Sequence, residues 1–248
     1  MKSLCLCIGI FCVYVHFKGG RTVRFDEVVR READVYWESS MVHPFVKGLV
    51  HGTLPMENFK FYMLQDAIYL KHYSKILAIA ASKAESNQEM AYYLESARSI
   101  NEAELELHRT VFKELHISYQ NQAGLIPSPA NNNYINHMYN AVLNESLPVA
   151  FAALLPCPWL YQSIGEEYKD EKPTQKLYRD WIELYSSKEF KDQLAIQKQM
   201  LNKYAITHPT DHQKMKAFFQ MSAYYECKFW DMAWTLEDWK ELSPYELA

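Results

Sequence analysis

From Phe25 onward, apolar residues recur at steps of three and four with hardly a break, and this spacing constrains the chain more than any single motif. Side chains three and four apart share one face of a helix, so a chain written this way buries itself as packed helices. Phe25, Val28, Val29, Ala33, Tyr36 and Trp37 make the first stripe, behind Asp26 and Glu27, which suit the positive end of a helix dipole. A wider stripe over residues 56–81 carries Phe59, Met63, Leu64, Ala67, Tyr69, Leu70, Tyr73 and Leu77, and similar periods cover roughly residues 90–115, 134–143, 148–168, 174–186, 188–204 and 209–234. No strand-like alternation rivals them. Only 7 Gly and 10 Pro among 248 residues fit long helices and not a turn-rich β protein. The expected fold is all-α, one domain of about eight to ten helices, with 49% hydrophobic residues to fill a core. The loop Pro127-Ser128-Pro129 and the Asn131-Asn132-Asn133 run precede the helix of Tyr134, which the last Asn is expected to cap.

A formal charge of −4 and a pI near 6.1 give no basic footprint for nucleic acid. The 5 cysteines, Cys5, Cys7, Cys12, Cys157 and Cys227, are odd in number and unevenly spaced, so a disulfide framework is not expected and a reduced, cytoplasmic compartment is. Residues 4–17 are nearly all apolar, shorter than a membrane span and closer to a signal-peptide core. The following Lys18-Gly19-Gly20-Arg21 lacks the small-x-small cleavage pattern. Residues 1–22 are therefore expected to be an extension outside the fold or the product of an upstream start, and residues 23–248 the helical domain.

Within this frame Leu154-Leu155-Pro156-Cys157-Pro158-Trp159-Leu160-Tyr161 stands out. Two prolines must interrupt the helical hydrogen-bond ladder and leave a thiol at a helix start, where the dipole favours thiolate; the alternative is an inert, buried cysteine. Cys157 and Tyr161, four apart, share a face. So do Asp66 and Tyr69, three apart on an otherwise apolar helix. A carboxylate facing a core needs a partner or a ligand, unless it turns to solvent or pairs with Lys71. Glu226 shares its face with Phe229 and Trp230, apolar walls that raise a carboxyl pKa and keep a proton available, unless it is a surface charge. Cys227, about 100° further round the helix, is expected to pack elsewhere.

Glu102, Glu104, Glu106 and His108 raise the alternative of a helical metal site, but di-iron bundles use Glu-x-x-His and Leu105 stands three before His108. A solvated helix face is the expectation there.

The ordered set His43-Pro44-Phe45-Val46, Gly52-Thr53-Leu54-Pro55, Leu64-Gln65-Asp66 with Tyr69-Leu70, then Glu102, Glu106 and His108, the Pro-Cys-Pro segment, and Tyr224-Tyr225-Glu226 with Phe229-Trp230 resembles the TenA family, thiaminase II, in its cysteine-containing branch. The resemblance implies a haem-oxygenase-like helical fold without haem or other cofactor, assembled as a homotetramer. It implies hydrolysis of an aminopyrimidine in thiamin salvage and cleavage of thiamin itself, small molecules being the only partners. Cys157 falls on the family's nucleophile and Glu226 on its proton donor. Asp66 falls on the carboxylate that holds the pyrimidine, and Tyr69, Tyr134, Tyr161 and Tyr185 on tyrosines that contact or stack on the ring. A non-catalytic regulatory or binding protein of the same fold is the alternative, separable by removing Cys157.

Overall fold

The computed structural model describes residues 23–115, 117 and 126–239, leaving out the side chains of residues 103–109. Residues 1–22 of the expected extension, and the side chains of Glu104, Glu106 and His108, lie outside what is described. In chain order the helices are α1 (Phe25–Glu32), α2 (Asp34–Met41), α3 (Pro44–Val50), α4 (Met56–Ser82), α5 (Asn87–Ser99), a π turn (Ile100–Glu104), α6 (Leu105–Glu114), α7 (Pro129–Asn144), α8 (Leu147–Leu154), α9 (Pro156–Glu167), α10 (Lys176–Ser186), α11 (Lys188–Thr207), a 3-10 turn (Pro209–Asp211) and α12 (His212–Thr235). No strand occurs among the described residues.

The number of helices exceeds the sequence expectation because two long stripes are interrupted without losing their period. At Ala33 the backbone leaves helical geometry for one residue, yet its N–H still bonds Val29 O at 3.2 Å, so the apolar face runs on from α1 into α2. At Leu155, between α8 and α9, the backbone stays helical and it is only the hydrogen-bond ladder that the two prolines break. The Asn run is a correction. Pro129, whose missing N–H is harmless at a first helical position, starts α7 ahead of it. Asn131 is buried inside that helix and donates from Nδ2 to Gln65 O and Oε1, both at 2.8 Å, locking α7 onto α4.

The two longest helices, α4 and α12, run through the middle of the bundle. The first packs on α5 and α7, and the second on α2, α7 and α8. Trp37, Phe45, Tyr62 and Trp230 are almost completely enclosed between them and their neighbours. Residues Leu147–Glu167 are long and apolar enough to cross a membrane by composition, but 83% of that window is buried inside the bundle, so its apolarity is accounted for by the core. Helices α4, α7, α9, α10 and α12 carry the polar side chains that meet at one inner region.

Candidate active site

The site begins with the proline break. Pro158 has no N–H to offer the carbonyl of Leu154 four residues back; Tyr73 Oη donates to it instead, at 3.1 Å from α4. The neighbouring Ala153 carbonyl accepts from Ser222 Oγ of α12 at 2.7 Å. The two central helices thus cap the end of α8, and Cys157 starts α9 at its second position, behind Pro156. The dipole of α9 is directed to favour thiolate there.

Beside this thiol lies a cavity of about 680 Å³, bordered at one end by Asp66, Cys157, Tyr161 and Tyr185. Asp66 is only 7% exposed, so it faces the cavity and not bulk solvent. Tyr69, Tyr134 and Glu226 do not border the open space; they form a buried layer next to it. Their proximity is electrostatic as well as steric. A charge on Cys157 acts on Tyr69 and Tyr134, and the charge of Asp66 acts on Glu226. The seven expected residues therefore converge, four on the cavity wall and three directly behind it.

Glu226 is 2% exposed and accepts a 2.7 Å hydrogen bond from Tyr134 Oη. Burial, reinforced by the charge of Asp66 and opposed by that hydrogen bond, pushes its carboxyl up to about 8. At neutral pH it holds a proton inside an aromatic box, with Tyr134 stacked on Tyr225 at 5.5 Å and Tyr69 set 5.2 Å from Tyr134. Burial likewise raises Tyr69, Tyr134 and Tyr161 far above the ordinary phenol range, so these hydroxyls stay neutral donors. Cys227 turns away, its Sγ donating to Tyr36 O at 2.9 Å and standing 3.1 Å from Ser40 Oγ, as its helical position led one to expect.

Several supports were not picked out from the sequence. Trp181 Nε1 donates to Tyr62 Oη at 3.2 Å, and Tyr62 donates to Tyr161 Oη at 3.3 Å, a chain that leaves the Tyr161 proton for some other acceptor. Tyr62 precedes Asp66 by one helical turn, a signal present in the sequence. The partner Trp181 lies on α10, and nothing local to either residue predicts their meeting. His43, from the first motif, is structural: it caps α3 by accepting from Phe45 N at 3.1 Å and reaches Asp231 at 3.1 Å. Glu102 pairs with Arg98, and no group of three metal-binding side chains converges among the described residues.

A sequence profile of the TENA/THI-4/PQQC family matches residues 30–236. The chain belongs to this family. It is 37% identical over 226 residues to the aminopyrimidine aminohydrolase of Bacillus subtilis (strain 168), covering 91% of this chain and 96% of that protein. Among solved TENA/THI-4 relatives, a TenA homologue from P. horikoshii OT3 superposes with a TM-score of 0.81 at 32% identity, over 86% of this chain and 99% of that one. A domain with a heme oxygenase-like fold from Shewanella denitrificans OS217 superposes at 0.69 and 13% identity, over 86% and 93% of the two chains. That likeness establishes the shared all-helical architecture and nothing more.

Proposed function

We propose that this protein is an aminopyrimidine aminohydrolase. It would convert 4-amino-5-aminomethyl-2-methylpyrimidine and water to the 5-hydroxymethyl compound and ammonia, and cleave thiamin at the same methylene. One observation carries the reading: a helix-start thiol and a buried carboxylate share a cavity wall, with a protonated carboxyl enclosed in the layer behind them.

Each group has a task that its surroundings suit. Asp66 takes the amine and adjacent ring nitrogen of the substrate in a paired contact, orienting a ring that must accept charge. The Cys157 thiolate adds to the unsubstituted ring carbon. The electron pair pushed through the ring expels the amine from the methylene, and Glu226 gives that amine its proton. Water then adds to the methylene, its proton returning to the Glu226 carboxylate and its electron pair passing back through the ring, and the Cys157–carbon bond breaks to restore thiolate. The thiazolium of thiamin leaves without needing the Glu226 proton. Tyr161 and Tyr185 wall the ring, and Tyr69 and Tyr134 back that wall from the buried layer behind it. The assembly is proposed to be a homotetramer acting in the cytoplasm.

The test is hydrolysis of the aminopyrimidine and of thiamin by wild type and Cys157→Ser, with light scattering on the same preparations. Cysteine-dependent release of hydroxymethylpyrimidine by a folded tetramer is expected. Full turnover by Cys157→Ser would refute the mechanism, and a monomeric mass the assembly.

A further inference from the structure

Helix α4 turns one face to the cavity, and two residues on that face bear on the reaction in different ways. Asp66 and Tyr73 are seven apart, two turns of helix, so they lie on one stripe, with Leu70 between them on the same wall. Asp66 is the residue assigned to hold the ring. Tyr73 reaches the junction of α8 and α9, where Leu154, Cys157 and Pro158 border the same space, and its Oη donates to the Leu154 carbonyl at 3.1 Å in a buried contact.

That carbonyl has a particular need. In an unbroken helix it accepts from the N–H four residues on, but that residue is Pro158, which has no N–H and whose ring crowds the oxygen. Leu154 is buried, and a buried carbonyl deprived of its donor is costly enough to disturb the turn that holds it. The turn in question leads directly into Cys157. Tyr73 is itself fixed from its own helix, its ring stacked on that of Tyr69 at 5.7 Å and 27°, so the hydroxyl is delivered from a packed platform.

We propose that Tyr73 is a positioning residue for the nucleophile: by holding the Leu154 carbonyl it sets where the proline break places the Cys157 thiol relative to a ring held by Asp66. This inference rests on the aminopyrimidine reading. Because α4 carries both the group that holds the ring and the group that holds the break, a single helix fixes the approach of sulfur to ring carbon, and Tyr73 does so without touching the reacting atoms. Loss of its hydroxyl slows thiolate addition while the ring remains held.

The test is a cycle of four proteins: wild type, Tyr73→Phe, Pro158→Ala and the double variant. Phenylalanine keeps the ring packed on Tyr69, and alanine at 158 returns a backbone N–H to take over the Leu154 carbonyl. Tyr73→Phe alone is expected to lower kcat for the aminopyrimidine about tenfold or more with KM within about twofold of wild type, since a displaced nucleophile affects the rate and not the hold on the ring. In the Pro158→Ala background the same change should cost less than about twofold. Unfolding midpoints should follow the same pattern, lowered by Tyr73→Phe with Pro158 in place and not in the Pro158→Ala background, and they carry the cycle if Pro158→Ala is itself inactive. An unchanged kcat in Tyr73→Phe, or a raised KM with kcat kept, would overturn the inference. So would an equal effect of Tyr73→Phe in both backgrounds. Failure of wild type to turn over the aminopyrimidine would instead remove the functional reading, and the positioning role with it, leaving the midpoints to report on the hydrogen bond alone.

Discussion

The proton held by Glu226 is the residue-scale property that most directly sets the behaviour of the site. With its carboxyl near 8, the group is protonated at neutral pH and is lost as a donor when pH rises through that value, so amine release should decline above about pH 8. The Tyr134 hydrogen bond stabilises the charged form, which gives the next expectation its sign. In Tyr134→Phe the carboxyl should rise further and the alkaline limb of the pH–rate profile should move to higher pH, whatever the loss in rate. A limb that moved to lower pH, or stayed in place, would show that another group controls it. Much of this residue was legible beforehand, because Phe229 and Trp230 follow at three and four positions and must wall the same face. Tyr134 was known only through resemblance. Its contact joins α7 to α12 across 92 positions, and no spacing rule reaches that far.

At the scale of elements, the proline break and one glycine position the thiol. Gly165 sits where α9 crosses α10, and a methyl group there would lie 2.5 Å from the backbone carbon of Tyr185 and 2.7 Å from Ser186 N. Neither neighbour is a flexible side-chain end, so Gly165→Ala must push the helices apart. A destabilisation of about 1–3 kcal/mol is expected, together with weakened substrate binding, since Tyr185 moves with its backbone. Denaturant titration and a binding isotherm would check it, and an unchanged midpoint would show that the crossing yields easily. The α8–α9 stripe illustrates both the reach and the limit of pattern reading. Two prolines announce the interruption. That Tyr73 and Ser222 would satisfy the Leu154 and Ala153 carbonyls required helices brought in from either side.

For the whole molecule, burial of titratable groups sets the pH range of stability. His137 is pushed down from 6.5 to about 4 by burial, so it favours the fold only while neutral, and its contribution is lost as pH falls from 6.5 toward 4. Glu226, raised from 4.5 to about 8, favours the fold while protonated, and its contribution is lost as pH rises from 4.5 toward 8. Their slopes oppose each other between pH 4.5 and 6.5, leaving Glu226 uncompensated above that. Between pH 6.5 and 8 the wild type should lose about 2 kcal/mol to this group, a loss absent from Glu226→Gln. Unfolding curves at a series of pH values would show it, and parallel profiles for the two proteins would refute it.

The sequence by itself determined that the chain is helical and that its core is aromatic; it offered inward faces for Asp66 and Glu226 and a helix start for Cys157, but left a solvent-facing or inert alternative open for each. Those properties follow from spacings of three and four residues and from two prolines, all local to single helices. Only the tertiary structure decided which inward faces meet. It set Asp66 and Cys157 on an open wall and Glu226 in the buried layer behind, and brought Trp181 and Tyr62 to support Tyr161. The physical reason is that burial and cavity shape arise from contacts between residues tens to hundreds of positions apart. A periodic pattern states that a face is buried, but not against what.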